Sequence, residues 1–357
     1  MRTEPGAQRP KVRPNRTPRS ARSHSPAGLA IGLAGIAVCV GLLALASLAV
    51  GSRTVPLDVV REAILHFDPT STDDRVIREM RVPRALLGIV VGAALGVAGA
   101  LLQGVARNPL ADPGIMGINA GAAAAVVVGI AAFGLTNAGG YIWLAFVGAG
   151  IATVTVYALA SLGRDGATPV KLALAGAALT AALTSLTSAI IMINPDALNE
   201  LRFWQVGSLG GRYFPVFWQI LPFIVAGLIA ALALARPLNS LALGEDTARA
   251  LGQNVERTRW LTFVVVVLLS GAATAACGPI VFIGLVMPHV ARAICGPDYR
   301  WILPYSMVLT PLVFLAADVL GRVALPGDAE LEVGVVLGVF GAPLFVLLVR
   351  YRDMAEL

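Results

Sequence analysis

Residues 238–259 read LNSLALGEDTARALGQNVERTR, between two long apolar runs at 215–235 and 260–276. The stretch mixes small apolar residues with Glu245, Asp246, Arg249, Glu256, Arg257 and Arg259. Acids at the start of a segment and a glycine just past its end mark a short helix over 245–251, stopped at Gly252. Asn254 is placed to cap a second short helix leading into the next apolar run. The pattern therefore describes two short helices joined at a glycine, held at a membrane surface between two spans. It suits either an ordinary solvated loop or a docking surface for a soluble partner.

The flanking runs set the frame for everything else. Of the 357 residues, 57% are hydrophobic and only 13% are charged, with mean hydropathy +0.78. Soluble domains carry about 25% charged residues, so this is an all-α polytopic membrane protein. The apolar runs predict about ten transmembrane helices, near 28–50, 84–105, 115–134, 141–162, 171–193, 215–235, 259–278, 280–294, 301–320 and 333–349. The eighth is short and contains Gly284 and Pro288, which predicts a broken or tilted crossing. Cys39, Cys277 and Cys295 are odd in number and lie in or beside apolar runs, against a disulfide framework. Neither they nor the three histidines show metal-ligand spacing.

Residues 1–27 carry seven basic residues against Glu4, with many prolines and serines. They read as a disordered basic cytoplasmic tail ahead of the first span, with no nucleic-acid role. The run 27–50 is too long for the core of a signal peptide. With the N-terminus inside, eighteen Lys and Arg fall on the cytoplasmic side and nine outside. That bias predicts cytoplasmic N- and C-termini and puts 238–259 in the cytoplasm.

The second span opens with Arg81-Val-Pro-Arg84 and continues GIVVGAALGVAGALLQG, with Gly88, Gly92, Gly96 and Gly99 forming a stripe for close helix packing. Residues 92–99 are echoed at 271–278, in a span of opposite direction, as an inverted repeat requires. In the fifth span Thr180, Thr184, Thr187 and Ser188 share one helix face. That stripe suits either interhelical hydrogen bonds or the wall of a polar route. His289 reads as a hydrogen-bonding residue, and Asp318 with Arg322 as an i,i+4 pair.

RVPR…GAALGVAGALLQGVARNPLADPG, LGEDTARALG, GPIVFIGLVMPHVAR and the Asp298-Tyr-Arg300 segment, in this order, resemble the permease subunits of iron-siderophore and cobalamin ABC importers. The resemblance covers the chain from about residue 30 onward. Within that family, AGAALTAALTSLTSAIIMINPDALNELRFWQVGSL and LNSLALGEDTARALG look most like the ferric-enterobactin type. It implies a type II ABC importer permease fold, with a permease domain over 28–352 whose coupling segment is 238–259. It also implies an inner-membrane protein of a prokaryote, a second permease subunit (a paralogue or a copy), cytoplasmic ATP-binding cassette subunits and an extracytoplasmic binding protein.

By the same resemblance, Leu243, Gly244, Glu245, Asp246, Ala250, Leu251 and Gly252 would contact the ATPase. Thr180, Thr184, Thr187, Ser188 and Gly338 would line the substrate route. Arg81, Arg84 and Arg322 would dock the binding protein from two separated edges of the outer face. Where many relatives read Glu-Leu-Pro-x-Gly before the last span, this chain has Glu332 in place of the proline. No G-x-x-x-x-G-K-[ST] phosphate loop is present, and the only lysines are Lys11 and Lys171. The chain is therefore expected to be no enzyme and to hold no cofactor, with ATP and Mg used by the partner ATPase. An ion-coupled transporter would place ionisable residues deep in the spans, and a membrane-embedded enzyme would need a catalytic cluster. The sequence offers neither. A ferric catecholate is the expected cargo, ahead of other ferric siderophores, cobalamin or haem.

Overall fold

A computed structural model describes residues 25–51, 54–135, 138–162, 168–327 and 329–351. The basic tail up to residue 24, together with Arg53, Arg164 and Arg352, lies outside the described residues. In chain order the helices are α1 (Pro26–Ala49), α2 (Leu57–Leu65), α3 (Thr72–Arg75), α4 (Val82–Ala106), α5 (Ile118–Phe133), α6 (Ala138–Ser161), α7 (Pro169–Ile193) and α8 (Pro195–Gln205). They continue as α9 (Phe214–Ala233), α10 (Ala235–Ala242), α11 (Glu245–Ala250), α12 (Val255–Cys277), α13 (Ile283–Cys295), α14 (Tyr299–Val323) and α15 (Val333–Tyr351). No strand occurs among the described residues.

Ten of these helices coincide with the ten expected spans. Seven are long and apolar enough to cross a membrane, and α5, α13 and α15 are shorter apolar helices. α13 has 13 residues, about 20 Å of rise against a hydrocarbon core of about 30 Å. The non-helical segment 278–282 precedes it, and Gly278 and Ile280 there are buried. Irregular backbone at membrane depth is tolerated where protein covers it. α1 starts at Pro26 on a Ser25 cap, two residues earlier than expected.

α4 is the central post, and its glycines decide what packs on it. A Cβ on Gly96 would strike Thr310 and the Ser306 carbonyl of α14, and one on Gly92 would strike the Pro311 backbone. On Gly99 it would lie 1.8 Å from the Gly284 carbonyl oxygen of α13. The stripe thus lets α13 and α14 approach α4 backbone to backbone, where dispersion contacts replace the hydrophobic drive that lipid removes. α12, which carries the echoed segment, packs against α4, α6 and α9.

Four helices beyond the spans were not anticipated: α2, α3, α8 and α10. The signal for α8 was present, since Asn194 caps it, Pro195 opens it, Asp196 sits in its first turn and Arg202 near its end. α10 follows α9 after a break at Leu234 and buries Leu238 and Leu241.

Candidate transport route and docking surfaces

The expected coupling segment, 238–259, is built from α10, α11 and the first turns of α12. Gly244 (φ +110) and Gly252 (φ +79) take backbone angles that a side chain would strain, so each turn falls at a glycine. α11 ends at Ala250, and Asn254 accepts the Arg257 N–H at 2.9 Å to cap α12 itself. The expected second short helix is therefore the first turn of the seventh span. Glu245 bonds both Arg249, at 3.1 Å, and Arg259, so one carboxylate ties α11 to α12. Asp246 adds a bond to Arg249 at 3.2 Å. Ala248 anchors α11 inward, whereas Leu243 is 65% exposed and Leu251 62%. Ala250 and Gly252 are exposed with them. The result is an apolar knob braced by ion pairs from behind.

A second tie holds this segment to the ninth span. Asn239 of α10 donates to Asp298 at 2.6 Å and accepts the Tyr299 N–H at 2.9 Å. Bonds from Arg300, with further ones from its own backbone N–H and from Asn239, hold the Asp298 carboxyl below its ordinary range. On α13, His289 is buried, with its Nε2 2.8 Å from the carbonyl oxygen of Pro109 in the segment that joins α4 to α5. That is the hydrogen-bonding role expected of it. Among the described residues no group of three metal-ligating side chains occurs.

At the opposite end, Arg84 and Arg322 share one carboxylate, and Arg81 lines the same small cavity beside them. Asp318, with a fully buried side chain, accepts from Arg84 Nε at 3.1 Å and Nη2 at 2.9 Å, and also from Arg322. Arg84 donates a further bond to Glu330 at 2.7 Å. Arg322 also donates to the Ser47 carbonyl at 2.8 Å, and Arg81 to the Leu48 and Ala49 carbonyls at 2.6 and 3.1 Å. These carbonyls end α1, and charged donors are the strong partners for them.

The expectation of three outward cations on two separated edges does not hold. Arg322 is 2% exposed and Arg81 8%, and Arg84 and Arg322 share Asp318. A bare guanidinium at that depth would be costly, so each is consumed in tying α1, α4 and α14 together. The i,i+4 pairing of Asp318 with Arg322 is as expected. Glu330, a partner the sequence reading missed, comes from the same Glu-Leu-x-x-Gly segment as Glu332. Glu332 immediately precedes α15, its carbonyl accepting from the N–H groups of Val335 and Val336. A small cavity of about 120 Å³ lies beside the cluster, between Arg81, Arg84, Arg212 and Glu330.

The fifth-span stripe divides. Thr184 and Ser188 are exposed and Thr180 half-buried. Thr187 is 4% exposed and returns its hydroxyl to the Leu183 carbonyl at 2.8 Å, so it faces the subunit and not the stripe. On α15, Gly334 and Gly341 pack against Val206 and Phe282, whereas a Cβ on Gly338 would meet nothing within 4 Å. α7 and α15 both keep broad exposed apolar faces, including Leu174, Leu186, Val339 and Phe340.

Comparison with known proteins gives a consistent picture. Residues 39–351 match the model of the FecCD transport family. The chain is 46% identical over 326 residues to the ferric enterobactin transport system permease protein FepD of Escherichia coli, covering 90% of this chain and 96% of that protein. It is 39% identical over 313 residues to the iron(3+)-hydroxamate import system permease protein FhuB of Bacillus subtilis, covering 88% and 80%. Among solved structures, an inward-facing metal-chelate type ABC transporter superposes with a TM-score of 0.79 at 28% identity, over 90% of this chain and 100% of that one.

Proposed function

The chain belongs to the FecCD transport family and is a transmembrane permease for iron chelates in an ABC importer, and on that footing we propose that its cargo is a ferric catecholate siderophore. The observation that carries the choice of cargo is the 46% identity to the ferric enterobactin permease across 90% of the chain. The similarity to a hydroxamate permease marks the competing cargo.

In this reading the subunit lies in a prokaryotic inner membrane with both termini cytoplasmic. It pairs with a second permease through α7 and α15, and the chelate passes along Thr180, Thr184, Ser188 and Gly338. A wall of hydroxyls and a glycine, without charge, holds a large chelate weakly and so releases it. The knob of Leu243, Ala250 and Leu251 seats in an ATPase subunit that uses ATP and Mg. Closure of that ATPase reaches the spans through Glu245–Arg259 and Asn239–Asp298. The binding protein meets the arginine end, where its acids would have to compete with Glu330 for Arg84. Charge reversal at Arg84 therefore disturbs packing before it disturbs docking, and Glu330→Gln is the cleaner probe.

The experiment is to purify the tagged chain from its native membrane and identify co-purifying subunits and bound chelate. A ferric catecholate with an ATPase supports the reading. A ferric hydroxamate with the same ATPase would replace the cargo and keep the class.

A further inference from the structure

One further cavity has no part in the cargo route or the docking of a binding protein. It opens at the coupling-segment end of α12, with a volume of about 660 Å³, between the C-terminal ends of α4 and α6 and the first turns of α7 and α12. Its polar lining includes Arg257, Arg259, Glu256, Asn254 and Ser161. Glu245 takes part of the charge of Arg259. Arg257 is exposed and has no ion-pair partner among the described residues.

Directly adjoining it, a groove of about 310 Å³ runs along α6 and α12 and shares Tyr157, Trp260 and Phe263 with the cavity. The rest of the groove is apolar except for Thr153, whose hydroxyl is turned back to the Ala149 carbonyl. Its floor opens at Gly150, where a Cβ would meet nothing within 4 Å. Val154, at 67% exposure, and Val264, at 43%, place this surface on the membrane side of the molecule.

A cationic pocket continuous with an apolar groove has the shape of an amphiphile. Trp260 and Tyr157 stand at the junction, where amphipathic rings settle at the headgroup level. Basic pockets between spans on the cytoplasmic side suit anionic lipid headgroups. The molecule supplies its own contrast: the groove between α1 and α4, about 500 Å³, is lined by Val38, Leu42, Leu45, Leu86 and similar residues, with no charged side chain in its lining, and Arg81 nearby is spent on the Leu48 and Ala49 carbonyls. That groove can take acyl chains of any lipid, whereas the α6–α12 groove has a place for a phosphate.

We propose that the cavity and groove form a binding site for one anionic phospholipid, with its phosphate at Arg257 and Arg259 and an acyl chain along Gly150 and Val264. Because Arg259 also bonds Glu245, the lipid would brace the start of α12 where the coupling segment joins it. The inference does not depend on the cargo.

The test is native mass spectrometry of the full chain in mild detergent, titrated with phosphatidylglycerol, with phosphatidylcholine, and with inorganic phosphate as competitor. The expected result is one phosphatidylglycerol retained in preference to phosphatidylcholine. Arg257→Gln should weaken it about fivefold, the worth of one basic residue near an anionic headgroup. Gly150→Trp, which fills the groove and leaves the arginines in place, should also weaken it. Equal retention of both lipids, unchanged in both variants, would overturn the proposal. Displacement of phosphatidylglycerol by millimolar inorganic phosphate would overturn it too, by making the pocket a free-anion site.

Discussion

Asp318 is the residue on which the arginine end depends. It is fully buried and holds Arg84 and Arg322, while Glu330 holds only Arg84 and is 29% exposed. Removing one member of a buried ion pair costs about 3–5 kcal/mol, because the remaining charge stays buried. Asp318→Asn should therefore lower the unfolding temperature in detergent far more than Glu330→Gln, and equal small shifts would remove Asp318 as the hub. Asp298 gives a prediction in pH. Its pKa is held down in the fold, so its stabilisation is complete above its ordinary value near ~3.9. It is lost as pH falls through the lowered value. Thermal stability measured on going acid should decline less steeply in Asp298→Asn than in the unaltered chain. The Asp318–Arg322 pair was legible because four residues on a helix is a local relation. Its third and fourth members, Arg84 and Glu330, lie 234 and 12 residues away from Asp318 along the chain, and no pattern in one sequence joins them.

At the scale of elements, the close approach of α4 to α13 rests on Gly99, while Gly338 on α15 faces open space. Gly99→Ala should prevent accumulation of folded protein in the membrane, and Gly338→Ala should leave it unchanged. Comparing the two by fluorescence-detected gel filtration separates packing glycines from lining ones. The coupling knob offers a second case. Ala250→Asp with Leu251→Asp places two charges on an exposed surface, so the permease should fold normally but lose its ATPase in co-purification. A double variant that retains the ATPase and imports normally would move the contact elsewhere. The spans and the glycine turns flanking α11 were legible because hydropathy, glycines and caps act over a few residues. Thr187 was misread because it sits at the edge of the hydroxyl stripe, where a small rotation of α7 decides between subunit and solvent. α10 was missed because its apolar positions continue the run of α9, and the break at Leu234 carries no proline or glycine.

The whole molecule is a bundle in which α4 and α12 are buried by the other spans, with an ion-paired arginine cluster at one end and an apolar knob at the other. The decisive measurement is uptake of a radiolabelled ferric catecholate into proteoliposomes holding the permease with its ATPase, with the binding protein added on the opposite side. Accumulation should require ATP hydrolysis and the binding protein, and should survive collapse of proton and sodium gradients. Accumulation driven by an imposed ion gradient without ATP would contradict an ABC permease.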